Sequence, residues 1–289
     1  MALINRLFYY GFVLPLSKLP FGVLYVLSDI LAFLMYYVVG YRKKVVFENL
    51  KNSFPNKSNA EITAIAKKFY RHFCDLTLES LKMFSISAED ANKRVQYLDT
   101  DIPKKYYDQG KSIIVAMAHY NNWEFIAVTV DRATQQQAYA IYKPLTNEYF
   151  DKKIRTSRQK YGLTMMHIRT VKEDFEKMKN DLTATYFLID QAPSMHSKPH
   201  WMTFLNQDTG VLPGTEKYAK DYNYPVVFLD VQKPKRGYYV ARFIDVTGDP
   251  RSTAENDITE KTNRILEEFI VAKPEFWLWS HRRWKRKRV

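Results

Sequence analysis

Between residues 112 and 244, short apolar runs are separated by polar, helix-patterned stretches. This alternation constrains the fold more than any other feature of the 289-residue chain. The first run, Ser112–Ala118 (SIIVAMA), is continuously apolar and holds β-branched residues, as a strand buried on both faces requires. Gln137–Tyr142, Thr164–Ile168, Thr185–Ile189, Pro225–Val231 and Tyr238–Ile244 repeat the signal. Helical patterns lie between several of them, around 122–130, 146–161, 171–181 and 214–222, and a last helix is expected over 254–272. Strands alternating with helices imply an α/β fold with a mostly parallel central sheet flanked by helices. Upstream, 46–54 and 58–84 read as helices. Ser58 with Glu61 forms a capping box, and Ile62, Ile65, Ala66, Phe69 and Phe73 follow at helical spacing.

The N-terminus adds a different constraint. Leu19–Tyr41 spans 23 residues with Asp29 as its only charge, and crossing a bilayer takes roughly 20. Residues 7–17 are apolar too, but Pro15, Lys18 and Pro20 interrupt them. A signal peptide fits poorly, because the apolar stretch is too long and no A-x-A-like site closes it. The expectation is an N-terminal membrane-anchoring helix over 1–45. Asp29 would be costly in mid-membrane and keeps a buried core helix in play. Whether the segment crosses the bilayer or dips as a hairpin into one leaflet stays open. Arg42, Lys43 and Lys44 follow directly and mark the cytoplasmic side. An α/β domain over 46–289 is therefore expected in the cytoplasm, on the inner face of the plasma membrane.

Charge and composition narrow the partners. Forty-four Lys and Arg against 31 Asp and Glu leave +13, which attracts acidic partners. An anionic leaflet accounts for part of this without nucleic acid. Apolar residues at 46% exclude a disordered chain, and 15% aromatics suit an apolar pocket or a membrane-facing surface. A lone cysteine, Cys74, forms no internal disulfide and reads as a buried apolar residue. No G-x-x-x-x-G-K-[ST], G-x-G-x-x-G or G-x-S-x-G occurs, so phosphate-cradling loops and a nucleophile elbow of those types are absent.

Chemistry concentrates just past the first strand, in His119-Tyr120-Asn121-Asn122-Trp123-Glu124. On one continuous helix His119 and Glu124 would point about 140° apart. A helix starting at an Asn cap near 121 or 122 lets the two side chains converge. An alcohol becomes a good nucleophile when a base takes its proton during attack, and neutral imidazole suits that near pH 7. A carboxylate on the other ring nitrogen fixes the tautomer. The C-terminal end of a parallel strand is also where open α/β sheets bind ligands.

The segment AMAHYNNWEF resembles the His-x4-Glu/Asp block of the bacterial lipid A secondary acyltransferases, relatives of the glycerolipid acyltransferase superfamily. Asn121 stands where that pattern usually has glycine, and Asn tolerates left-handed backbone. Further blocks follow in the family's order: Ile168-Arg169, Leu188-Ile189-Asp190-Gln191, Phe204-Leu205, Leu212-Pro213-Gly214-Thr215 and Trp277-Leu278-Trp279-Ser280-His281-Arg282-Arg283-Trp284. Asn206 replaces a usual glycine, and Ala192-Pro193 replace bulkier residues. The resemblance implies an acyltransferase that moves a fatty acyl chain from a thioester to a lipid A precursor. The donor would be acyl carrier protein or acyl-CoA, and the acceptor an anionic lipid. His119 would be the base and Glu124 its orienting partner. Arg169 would hold a phosphate or the oxyanion, or pair with Asp190. Asp190, Gln191, Asn122 and Gly214 would serve the substrate side.

No cofactor is implied. His167, His196 and His200 are not read as metal ligands: Pro193 and Pro199 make His196-x3-His200 a loop, and no third ligand stands nearby. The C-terminal HRRWKRKRV, with Arg282, Arg283, Trp284 and Lys285, is read as an interfacial or anionic-partner surface together with Trp277 and Trp279. Rival readings are a lysophospholipid or aminoacyl-lipid acceptor, a hydrolase using the same pair, and a non-enzymatic basic membrane-surface protein.

Overall fold

The computed structural model describes residues 2–194 and 197–288. With β1 (Val95–Leu98) at one edge, the six apolar runs become β2 (Ile113–Met117), β3 (Gln137–Tyr142), β4 (Thr164–His167), β5 (Thr183–Leu188), β8 (Val226–Lys235) and β9 (Tyr238–Thr247). They form one sheet in the order β1-β9-β8-β2-β5-β3-β4. Every pairing is parallel except the β8–β9 hairpin. A separate antiparallel hairpin joins β6 (His200–Phe204) to β7 (Gln207–Val211). The strands without an apolar run in the sequence are β1 at the sheet edge and this small hairpin.

Central β2 is buried at every residue, and its side chains alternate between two cores. Ile114 and Ala116 face α4 (Lys43–Ser53), α5 (Asn59–Lys82) and α12 (Asp257–Ala272), packing with Leu50, Phe69, Leu266 and Ile270. Ile113, Val115 and Met117 face the opposite core with Tyr106, Phe125 and Tyr239. Tyr106 lies on α7 (Asp101–Asp108), after α6 (Ala88–Asn92), and Phe125 lies on α8 (Trp123–Ala127). The remaining helices are α9 (Glu148–Arg158), α10 (Val171–Lys177) and α11 (Gly214–Tyr222). The Ser58 capping box starts α5, with Ser58 and Glu61 exchanging side-chain to backbone bonds.

The N-terminal arm begins with α1 (Ala2–Phe8), a π-helical stretch Tyr9–Val13, and α2 (Leu14–Lys18). Pro20 turns the chain into α3 (Phe21–Phe33), which runs on through Leu34–Val39 to Gly40 in a left-handed conformation. Phe21–Val39 is the only helix among the described residues long and apolar enough to cross a membrane. One face of it, Leu24, Ser28, Ala32 and Tyr36 at four-residue spacing, is buried, and α3 packs on α5. Asp29 receives both arms of the Arg236 guanidinium, at 2.9 and 3.0 Å.

Candidate active site

The site is assembled by strand register. β2 pairs with β5 so that Met117 lies opposite Leu188, and the Ile189 amide donates to the Met117 carbonyl. Two residues further along each strand the same offset brings His119 beside Asp190 at the C-terminal edge of the sheet. The Asp190 carboxylate Oδ1 lies 2.8 Å from His119 Nδ1, and Oδ2 accepts the His119 amide at 3.1 Å. Trp277 Nε1 donates to Oδ2 at 2.8 Å. Burial alone would raise the Asp190 pKa. The charge and hydrogen bonds of His119 and the Trp277 donor outweigh it and hold the pKa at about 2.

An ionised Asp190 on Nδ1 makes that nitrogen the N–H donor and leaves Nε2 with a free lone pair. The only described polar neighbour of Nε2 is the Gln191 amide, 3.2 Å away. The imidazole keeps 13% of its side-chain surface exposed, and the Trp123 ring meets it edge-on at 4.8 Å between centroids. The turn that follows is built as the sequence implied. Asn121 takes a left-handed φ of 56°, donates its amide to Val231 O and sends its backbone N–H to Phe276 O. Asn122 then caps α8 by accepting the Phe125 amide.

Glu124 is a correction to the expected pairing. Its carboxylate makes no hydrogen bond to His119. The Arg158 guanidinium takes it with two bonds, at 2.8 and 2.5 Å, and Trp123 Nε1 adds a third at 3.2 Å. The reason is topological. The first turn of α8 carries Glu124 towards α9, whereas β5 delivers Asp190 directly against the ring. Asn122 is a second correction. It is fully buried, and its Nδ2 donates to Glu79 at 2.6 Å, so both ends of its amide are used inside the protein.

The bacterial lipid A biosynthesis acyltransferase family profile matches residues 3–286, essentially the whole chain. The chain belongs to this family. No curated protein matches it. Membership makes the protein an acyltransferase and sets aside the reading of a non-enzymatic surface binder.

Arg169 in this acyltransferase lies exposed just past β4 and makes no ion pair among the described residues, so the expected contact with Asp190 is not formed. Three strand spacings separate β4 from β2, about 14 Å of backbone, which places Arg169 away from His119 and on the same sheet edge. Gly214 opens α11 with its Cα facing the Phe187 ring. Gln191 is exposed.

The C-terminal block is largely interior. Trp277, Trp279, Trp284 and Arg283 are buried, which corrects the reading of Arg283 and the tryptophans as a surface. Trp279 Nε1 donates to Pro274 O, Trp284 Nε1 to Thr209, and Arg283 to Gly210 O. Burial pulls the Arg283 pKa down to about 10, with Asp190 opposing it. Arg282 and Lys285 remain exposed. His281 Nε2 accepts the Ala192 amide at 3.1 Å, and burial lowers its pKa to about 4. It therefore stays neutral and pins the loop after Asp190-Gln191.

Sequence reasoning missed Trp277 as the Asp190 donor, Arg158 as the Glu124 partner and His281 as the loop anchor. Trp277 and His281 stand inside a block that the resemblance picked out, yet their contacts lie about 90 residues away in sequence. Arg158 carries no local signal. Elsewhere, Cys74 is buried and its thiol pushed up to about 12 by burial, which makes it a core residue. His200 pairs with Glu260 at 2.7 Å, and His196 lies outside the described residues. Among the described residues no three His, Cys, Asp or Glu side chains converge.

Proposed function

We propose that this acyltransferase moves a fatty acyl chain from an acyl thioester, carried by acyl carrier protein or coenzyme A, to a hydroxyl of a lipid A precursor. His119 is the general base. One observation carries the reading: an ionised, buried Asp190 holds His119 Nδ1 at 2.8 Å and turns Nε2, met among the described residues only by the exposed Gln191 amide, to the C-terminal edge of the sheet.

The acceptor hydroxyl takes the position of the Gln191 amide at Nε2. As its oxygen attacks the thioester carbonyl, Nε2 removes its proton, and Asp190 stabilises the imidazolium. The tetrahedral intermediate collapses, the C–S bond breaks, and the imidazolium returns the proton to the departing thiolate. The thioester becomes an ester and the thiol is released, so no oxidant, metal or bound cofactor enters the balance. Asp190 replaces Glu124 as the orienting carboxylate, and the Glu124–Arg158 pair shapes the wall beside Trp123.

The rim supports an anionic acceptor. Lys143, Lys152 and Arg155 are exposed after β3 and on α9, and Arg169 is exposed after β4. These cations sit at or near the C-terminal ends of β3 and β4, two and three strands from β2 on the same sheet edge as the base, where they would meet phosphates on the lipid. The chain would act at the cytoplasmic face of the inner membrane, with Arg282 and Lys285 available to an acidic carrier or leaflet.

The test is transfer by the purified full chain from acyl carrier protein or coenzyme A thioesters, read by mass spectrometry of the lipid product. A lipid A precursor heavier by one acyl chain is expected. Release of free fatty acid with no acylated lipid would point to a hydrolase, and transfer only to lysophospholipid or aminoacyl lipid would replace the acceptor.

A further inference from the structure

The reading above needs a membrane, and the N-terminal arm shows how the protein meets one. α3 does not stand apart from the catalytic domain. It lies antiparallel along α5 and is tied to it from end to end. Lys82 Nζ donates to Leu19 O, Tyr25 OH to Glu79, Ser28 to Asp75, and Tyr70 OH to Tyr41 O. Asp29, at the middle of the apolar helix, is clasped by Arg236 from the β8–β9 hairpin, with Arg71 of α5 at 3.6 Å.

These ties fix the depth of the helix. If α3 crossed the bilayer, α5 beside it would be drawn to the same depth. Lys68 and Arg71 on α5 keep 67% and 69% of their side-chain surface exposed. Such cations are costly at the middle of a membrane-spanning helix. The opposite side of the arm has the reverse character. Leu3, Leu7, Phe12, Val26, Ile30 and Phe33 are all exposed, on both α1–α2 and α3. Exposed cations flank this apolar face at Arg6, Lys18, Arg42 and Lys44. Apolar surface with cations at its margin is the pattern of a segment lying in the plane of an anionic leaflet.

We propose that the arm is a monotopic docking surface. It seats in one anionic leaflet with α3 lying along the membrane, and both ends of α3 stay on the side that carries the catalytic domain. Asp29 then keeps its charge at the protein face, clasped by Arg236, and never enters hydrocarbon.

Lys18 and Lys44 bracket α3 and are exposed, while native Cys74 is buried and silent to a thiol reagent. Full-length Lys18→Cys and Lys44→Cys proteins are expressed in bacteria. Right-side-out and inverted membrane vesicles are then treated with a membrane-impermeant maleimide. Both cysteines are expected to react from the same face. Reaction from opposite faces, or from neither, overturns the proposal. In parallel, purified full chain is floated with vesicles of phosphatidylcholine containing phosphatidylglycerol. Ile30→Glu with Phe33→Glu should weaken flotation by more than about tenfold and leave transfer to a detergent-dispersed acceptor unchanged. A chain that fails to float and runs as a dimer through this face overturns the membrane reading itself. Flotation with the ends of α3 on opposite faces overturns only the monotopic seat.

Discussion

Asp190 Oδ1 sits 2.8 Å from His119 Nδ1, two residues beyond the ends of adjacent parallel strands. The contact joins residues 71 apart in the chain and, in the proposed mechanism, leaves Nε2 to the acceptor. Asp190→Asn preserves shape and removes charge. Its amide can face Nδ1 with either oxygen or nitrogen, and the nitrogen face favours the wrong tautomer. Transfer is expected to fall by about 10²–10⁴-fold while the fold survives, and the pH profile of the residual activity should change. His119→Ala should abolish transfer with thermal stability retained. An Asp190→Asn enzyme with full activity would remove Asp190 from the mechanism.

Glu124 and Arg158 form a two-bonded pair whose side chains are 11% and 26% exposed. Glu124→Ala leaves a largely enclosed guanidinium without its partner, at a cost of about 2 kcal/mol. Activity should drop through misplacement of the wall beside Trp123. Because the pair does not touch the imidazole, pairing Glu124→Ala with Arg158→Ala should recover part of the stability lost in the single variant. A double-mutant cycle by thermal denaturation and transfer assay measures this coupling. A cycle showing no coupling would contradict the contact.

Trp277 supplies the second donor to the buried Asp190 carboxylate. Trp277→Phe keeps the ring packing against Phe204 and Trp279 and deletes one hydrogen bond to a charged group, worth about 1.5–3 kcal/mol. The variant should melt at lower temperature. Its Asp190 pKa should rise, because a carboxylate held down by its donors loosens when one is removed. NMR titration of the carboxyl carbon reports that shift directly.

Asn121 is left-handed at φ 56° and its amide is bonded to Val231 O. Asn121→Gly keeps the backbone and loses the amide bond, so a cost of about 1 kcal/mol is expected. Asn121→Val adds β-branching at a positive φ, about 1–2 kcal/mol more, and displaces the turn that carries His119. Denaturant melts should rank wild type above glycine above valine, and activity should follow the same order. Equal stability for glycine and valine would show that backbone handedness is not what the position requires.

Two histidines make the fold acid-sensitive. Burial lowers the His72 pKa to about 3 and the His281 pKa to about 4, against about 6.5 in an unfolded chain. Below pH 6.5 the unfolded state binds protons that the folded state refuses, so stability is full above pH 6.5 and falls as the pH drops towards 4. By pH 5 the buried His72 removes about 2 kcal/mol, and the part-exposed His281 less, because solvent screens it. Melting temperature measured from pH 7.5 to 5 should decline, and His72→Gln should flatten the slope. A slope unchanged by that substitution would place the acid sensitivity elsewhere.

The sequence by itself determined the elements. Continuous apolar runs mark the buried strands β2, β3, β5 and β8, helical spacing marks α5, and the Ser58–Glu61 box marks where α5 starts, because these signals are local and follow from period and capping. It also determined the handedness of two turns, since Asn121 after His119 (φ 56°) and Asn206 between β6 and β7 (φ 60°) supply the positive φ where glycine would otherwise be needed. Only the tertiary structure decided which carboxylate meets the imidazole. Glu124 is near in sequence and Asp190 is far, but the register of two parallel strands outranks sequence proximity, and the helix that carries Glu124 turns it to Arg158. The same holds for the charge on the apolar helix. Asp29 looks costly when its neighbours are read along the chain, and becomes a paired surface charge once the β8–β9 hairpin brings Arg236 across more than 200 residues. Local chemistry fixes what each segment can be, and long-range pairing fixes which polar groups meet, because a hydrogen bond depends on where the sheet sets its strands and not on distance along the chain.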